Sequence, residues 1–459
     1  MFEQIGMNNV ILVFMHIKAN TKNYKMGSTF HSEHTNIFRN IAYTILTISL
    51  ISCGQENIDI SSNEWIHDLN YFSQKLPNVH NNLYFKLSEK DFNQNINLLI
   101  SQVDSLSHNE ILFNLMHIVS SIGDAHTKIG HYSWNFNCIP IYTYVCDDGL
   151  LILGTVEGYQ YLIGKKVLKI NNTDIGDIQN TLKSFIPHEN KYWIKQKIPE
   201  YIIYADLLKF THIIDSSDSV TVTYLDNGIM NHVKMKTTRS NHLSSIKMIY
   251  YSDYLNLELP IAWRIGNKNY WFQYFDNEQA IYFQYNQCVN MGRESFSHFS
   301  NKFFKFISEN PVHSIIVDVR FNSGGNSDLF SNYFSPKLKS FTRQSDVDIY
   351  TIIGRKTFSS GLWVAIEMKN GYQSILVGEP SGNKPNHYGE SRKFDLPNSK
   401  LNCYYSIKYW KMLDSEKDAL YPDVPIKIES KDILAGRDEC LETVFKLIDN
   451  PIHKIQMIK

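Results

Sequence analysis

The sequence predicts a multi-domain α/β protein whose C-terminal half carries a partly parallel sheet. Three observations predict it. Across residues 247–448 short apolar strands alternate with helices, the punctuation of βαβ units. Across 132–236 short apolar runs are separated by turn residues, a β-rich texture. Across 63–123 apolar residues recur at helical spacing. Composition supports real cores: of 459 residues, 43% are hydrophobic and 20% charged, which rules out bulk disorder. Lys and Arg number 45 against 46 Asp and Glu, so the basic excess of a nucleic-acid-binding protein is missing. Six cysteines in this length do not make a disulfide scaffold.

The first element is a leader. Residues 41–52, IAYTILTISLIS, follow Arg39 and end at Cys53. A run of twelve residues is too short to span a bilayer but suits the h-region of a secretory signal. Leu50-Ile51-Ser52-Cys53 resembles a bacterial lipobox, with Cys53 as the lipidated residue and a polar tether after it. On this reading 1–53 is leader and anchor, Met26 is a more ordinary signal start than Met1, and the mature globule is tethered to a membrane in the cell envelope.

Residues 54–131 form a helical domain. Trp65, Leu69 and Phe72 mark one helix, Phe92, Ile96, Leu99 and Val103 a second, and Ile111, Leu115 and Ile118 a third. Pro77 is expected to break the first pair, Ser107 to Glu110 to cap the third, and the domain to close on Gly123-Asp-Ala-His-Thr127. Residues 132–246 are a β-rich domain with runs at 139–145, 150–155, 166–170 and 220–224. Asp226-Asn227-Gly228 is a hairpin signal, since Asn-Gly accepts positive φ. Residues 247–459 form the α/β core, with strands at 314–319, 348–353 and 374–377. Helices are expected at 327–334 and at 360–368, the latter closed by Asn370-Gly371. Cys138 and Cys146 flank a β segment and are candidates to pair across a hairpin, and Trp271 to Phe275 reads as core strand.

Three stretches of the core carry chemistry. In Asp318-Val-Arg-Phe-Asn-Ser-Gly-Gly-Asn326 a strand runs into paired glycines and a helix, the way an anion cradle or oxyanion hole is built. Gly354-Arg-Lys-Thr-Phe-Ser-Ser-Gly361 places two serines where a strand feeds a helix. One can act as nucleophile at the helix N-terminus, or serve only as its cap. The polar stretch 378–390 reads as a long loop holding Lys384, either a desolvated base or a solvated side chain. No His, Cys, Asp or Glu cluster has metal-ligand spacing, so neither metal nor cofactor is expected.

Taken together, Asp318-Val-Arg-Phe-Asn-Ser-Gly-Gly325, Thr357-Phe-Ser-Ser360, Gly378-Glu-Pro-Ser-Gly382 and Tyr421-Pro-Asp-Val424 resemble the tail-specific (C-terminal-processing) serine protease family. The resemblance covers roughly residues 60–450. It implies a ClpP/crotonase-like core and a PDZ-like middle, where Gly164-Lys-Lys-Val-Leu-Lys-Ile-Asn171 matches the strand-turn pattern. It implies Ser359 as nucleophile, with backbone N–H groups of Gly324 or Gly325 and of Ser360 holding the oxyanion. Two bases are open. In the Ser–Lys branch a lysine lies 25 residues after the serine, as Lys384 does. In the tricorn-like branch the base is a histidine ending the helical domain, matched by His126, supported by a glutamate before the Pro-Asp motif, matched by Glu416. Thr-Phe before Ser359 favours His126.

The reading is therefore an exported, lipid-anchored serine endopeptidase acting on polypeptide through an acyl-enzyme, with the middle domain able to pair with a substrate strand. Two alternatives stand beside it. One is a non-catalytic ligand- or peptide-binding lipoprotein on the same fold. The other is a crotonase-type thioester enzyme, disfavoured by Thr-Phe-Ser and the export signal.

Overall fold

The computed structural model describes residues 60–450 apart from 132, 133 and 244. The leader and Cys53 lie outside them. Helices α1 (Ser62–Val79), α2 (Glu89–Gln102) and α3 (His108–Ser121) begin the chain. Reciprocal bonds between Ser61 and Glu64, and between Ser107 and Glu110, start α1 and α3, each pair satisfying two otherwise orphaned N–H groups. The apolar face of α1 buries Trp65, Leu69, Phe72 and Leu76. Pro77 does not end α1: it sits in the last turn, and the helix runs on to Val79.

Strand β1 (Lys128–Gly130) leads into the middle region, built on β2 (Ile141–Cys146), β3 (Gly149–Val156), β4 (Lys166–Ile170), β5 (Ser219–Asp226) and β6 (Ile229–Lys236). The strand Met248–Tyr250 pairs with β3, and the order continues β3-β4-β5-β6, antiparallel throughout, with β2 also on β3. The β5–β6 turn holds Asn227 at φ +51° and Gly228 at φ +79°, as the Asn-Gly pair predicts. The region is less purely β than its texture suggests. Ile175–Leu182, α4 (Lys191–Tyr201) and Ala205–Phe210 are helices. They are too short for a periodicity to stand out. Cys138 and Cys146 are both free and buried, so no disulfide joins them.

The core sheet comprises β7 (Tyr270–Phe275), β8 (Ala280–Tyr285), β9 (Ser314–Asp318), β10 (Asp348–Ile353), β11 (Ile375–Gly378), β12 (Asn386–Asp395), β13 (Asn402–Lys411) and β14 (Val424–Pro425), with β12 and β13 set apart in their own ribbon. In the sheet proper the order is β7-β8-β9-β10-β11-β14, parallel except for β7 against β8. Alternate residues face opposite layers. Ile281, Phe283, Ile315 and Val317 pack with α5 (Phe296–Glu309) and α6 (Ser360–Tyr372). Tyr282, Ile316 and Tyr350 pack with α7 (Glu439–Asp449). Helix α6 continues through Asn370-Gly371 and stops where Gln373 takes φ +52°. The expected loop 378–390 is shorter, because β12 begins at Asn386.

The β12–β13 ribbon ties the core to the helical domain. Its tip caps the buried Asp68 of α1: Asn398 and Ser399 N–H donate to Oδ1 and Oδ2, each at 2.8 Å. At the same end, Asn402–Tyr404 of β13 pairs with β1, just after His126. Among the described residues no helix is long and apolar enough to cross a membrane.

Candidate active site

The segment between β10 and α6 is stitched to the segment after β9. Thr357 Oγ1 donates to Val319 O and accepts from Gly354 N–H, both at 2.9 Å, and Phe358 N–H donates to Asn322 O at 2.9 Å. Ser359 follows with φ +51° and ψ −125°, a left-handed conformation that costs a non-glycine residue about 1–3 kcal/mol. Its carbonyl starts α6 by accepting from Leu362 and Trp363 N–H at 3.0 and 3.1 Å. Its own N–H is held at 2.9 Å by Asn383 Oδ1. Ser359 is thus presented on a constrained turn at a helix N-terminus.

The two glycines pack against this turn. Gly324 has φ +112°, and a Cβ there would lie 2.8 Å from Ser359 Cβ and 3.2 Å from its Oγ. Gly325 has φ +129°, and a Cβ would lie 2.4 Å from Cys288 O. Of the two glycines, Gly324 donates its N–H to Asn322 Oδ1 at 2.9 Å. Gly325 O accepts the Ser360 hydroxyl at 2.6 Å, tying the two backbone segments together. The amides of Gly325 and Ser360 remain as the donors on this side.

His126 follows the helical domain in a turn organised by Asp124. The fully buried Asp124 carboxylate accepts from His126 N–H at 2.8 Å, from the hydroxyls of Thr127 and Ser406 at 2.6 Å each, and lies 3.1 Å from His80 Nε2. Burial alone would raise its pKa. The bond from His80 and the two hydroxyl bonds hold it below the ordinary value. The His126 ring stacks on His387 (centroids 5.3 Å, 7°) and packs on Phe358 at 4.6 Å, so the base candidate touches the residue preceding Ser359. Neither ring nitrogen has a hydrogen-bond partner, the Asp124 carboxylate being 3.9 Å from Nδ1. Burial first, and the neighbouring His387 second, push the pKa to about 3, so the imidazole is neutral. His126 and Ser359, over 200 residues apart, line one cavity of about 640 Å³.

The structure does not bring Glu416 or Lys384 to this place. Glu416 is 66% exposed and accepts from Asn386 Nδ2 at 2.9 Å, and the Lys384 ammonium lies 3.9 Å from it, outside the cavity lining. The carboxylates gathered around His126 are Asp124 and Glu189, the three groups offering ligand atoms within 4.8 Å of one another. Such a set can hold a divalent ion as well as relay a proton. Glu189 sits directly before Asn190, whose Oδ1 caps α4 through Tyr192 and Trp193 N–H and whose Nδ2 bonds Ser381 and Asp418 carbonyls. Glu189 Oε2 accepts from Asn383 Nδ2 and, at 3.2 Å, from Lys384 N–H. Asn383 therefore bridges Glu189 to the Ser359 amide, and the two bonds fix which way its side chain points. Burial first, and Asp124 second, push the Glu189 pKa up to about 8. Sequence reading missed Glu189, Asn383 and His387. The signal present was a carboxylate next to an Asn N-cap, which no motif flags.

No family model matches the sequence, and no curated protein matches it. Solved structures do. Mature CPAF complexed with lactacystin matches over 86% of this chain and 99% of its own, at 11% identity and a TM-score of 0.58. Mature CPAF alone matches over 86% and 98%, at 12% identity and a TM-score of 0.57. The photosystem II D1 C-terminal processing protease matches over 82% and 98%, at 10% identity and a TM-score of 0.36. CPAF, that enzyme and the tricorn protease are tail-specific protease family members. At 11% and 12% identity the likeness to CPAF speaks for architecture, and on it the chain has the α/β fold of the tail-specific proteases.

Proposed function

We propose that the protein is a serine endopeptidase that hydrolyses polypeptide through an acyl-enzyme on Ser359. What carries the reading is one arrangement: a serine held in a left-handed turn at the start of α6, in the same cavity as a buried histidine with both ring nitrogens unpartnered. The neutral imidazole of His126 takes the Ser359 proton as Oγ attacks the scissile carbonyl. The oxyanion settles on the amides of Gly325 and Ser360. His126 returns the proton to the leaving amine, and water then releases the acyl group by the same route. Asp124 orients the turn that carries His126. Glu189, once ionised, stabilises the imidazolium and through Asn383 steadies Ser359. Lys384 takes no part as base. Residues 41–53 support export and a lipid anchor on Cys53 in the cell envelope, with the leader removed.

The test is hydrolysis of an unfolded polypeptide and of fluorogenic peptides by residues 54–459, run beside Ser359→Ala and His126→Ala. Turnover lost in both variants supports the reading. Turnover that survives Ser359→Ala overturns it, and none in the folded wild type favours a binding protein.

A further inference from the structure

Two lysines stand in the cavity with Ser359 and His126, each on the segment of a proposed catalytic partner. Lys356 lies three residues before Ser359 in the stitched turn, and Lys128 two residues after His126 on β1. The other charges around the cavity pair off. Arg320 bonds Asp318 and Asp438 at 2.7 Å each, Arg437 takes Asp432 and Glu439, and Arg355 faces Glu379 at 3.8 Å. One carboxylate, Glu200, acts on both Lys128 and Lys356, and Lys197 already grips it at 2.9 Å through both oxygens. The Glu200 carboxylate is thus in direct contact with Lys197. The Lys128 ammonium otherwise lies 5.3 Å over the Tyr404 ring. Burial first, and the Lys197 charge second, push the Lys356 pKa to about 8. The cluster lacks a negative charge, and the place where one would enter is the cavity that the substrate must occupy.

We propose that Lys128 and Lys356 receive an acidic side chain of the substrate, so that the enzyme cleaves where Asp or Glu stands near the scissile bond. This rests on the peptidase reading above. Lys128 is exposed and Lys356 half-buried until a substrate covers them. The charge-assisted pair formed under that cover favours carboxylate over an isosteric amide by about tenfold or more, and neutral or basic segments leave the two cations uncompensated.

The experiment uses end-blocked fluorogenic peptides in Glu/Gln pairs, with the pair moved one position at a time across the scissile bond. Residues 54–459 are compared with the Lys128→Met/Lys356→Met variant. The expected result is a kcat/KM ratio of Glu to Gln peptide of about ten or more at one position, collapsing toward one in the double variant. A ratio near one at every position in the wild type, or a ratio the double variant keeps, overturns the proposal and leaves the peptidase reading standing. A second arm gives the peptides a free C-terminus. A preference seen only there assigns the cations to the terminal carboxylate and overturns the side-chain assignment. Binding of the same pairs to Ser359→Ala, read by fluorescence anisotropy, decides the matter without chemistry: equal affinity for Glu and Gln peptides refutes it. If no peptide is cleaved but Ser359→Ala still prefers Glu, the peptidase reading falls and the carboxylate site remains.

Discussion

Asn383 holds the proposed nucleophile from behind, and truncating it isolates that hold. The side chain is fully buried, accepts the Ser359 N–H at 2.9 Å and donates to Glu189. Asn383→Ala strands the Ser359 N–H and leaves Glu189 Oε2 with the Lys384 N–H. A group left without its bond costs about 1–3 kcal/mol, so the variant loses about 1–3 kcal/mol of stability. The turn at Ser359 stores about 1–3 kcal/mol of backbone strain that this bond helps hold. If relaxing the turn misplaces Oγ at a similar cost, acylation slows about 10- to 100-fold, at 1.4 kcal/mol per decade. Asn383→Asp separates the two effects, keeping an acceptor for Ser359 and replacing the donor to Glu189 by a second carboxylate. The assay is thermal unfolding alongside the second-order rate of phosphonate labelling at Ser359. Both should fall in Asn383→Ala. Unchanged melting and an unchanged labelling rate would refute the bridge.

Other perturbations follow from the same geometry. Gly324→Ala puts a methyl 2.8 Å from Ser359 Cβ at φ +112°, and should cost at least about 100-fold in kcat/KM with the fold intact by circular dichroism. Glu189, with its pKa raised to about 8, is neutral below that pH and ionised above it, so kcat/KM should climb through pH 8. Glu189→Gln should remove that climb. For stability the sign is opposite, because a raised folded pKa favours the protonated form. Wild-type stability should fall as pH rises from about 4.5 toward 8, and Glu189→Gln should flatten the decline in a melting series. Lys384→Met should keep kcat/KM within about threefold, whereas His126→Ala should abolish turnover. Asp68→Ala, which strands the ribbon tip, should destabilise by about 2–5 kcal/mol in denaturant unfolding.

Much of the fold was legible because local signals and tertiary packing agree there. The Ser107–Glu110 capping box, the Asn227-Gly228 turn and the apolar strands 314–318 and 348–353 each state their structure in a few residues. Where they disagree, packing prevails. Helix α1 runs through Pro77, and α6 through Gly371, in the last turn, where the buried residues before them, ending at Leu76 and Met368, already hold the helix. At the site, Ser359 and the glycine pair are legible because a tight turn restricts which residues fit it. Glu189 and Asn383 are not, because their roles arise where three distant segments meet. Glu416 shows the converse: spacing along the chain nominated it, and the ribbon carries it to the surface beside Asn386.

The central claim is that Ser359 is a nucleophile activated by His126. It is tested most directly by labelling residues 54–459 with an active-site phosphonate, followed by intact mass and peptide mapping, beside Ser359→Ala, His126→Ala and Lys384→Met. The account predicts one adduct per chain, on Ser359, that is lost in His126→Ala and retained in Lys384→Met. An adduct on Ser359 that persists in His126→Ala and vanishes in Lys384→Met, or no adduct on properly folded wild type, would contradict it.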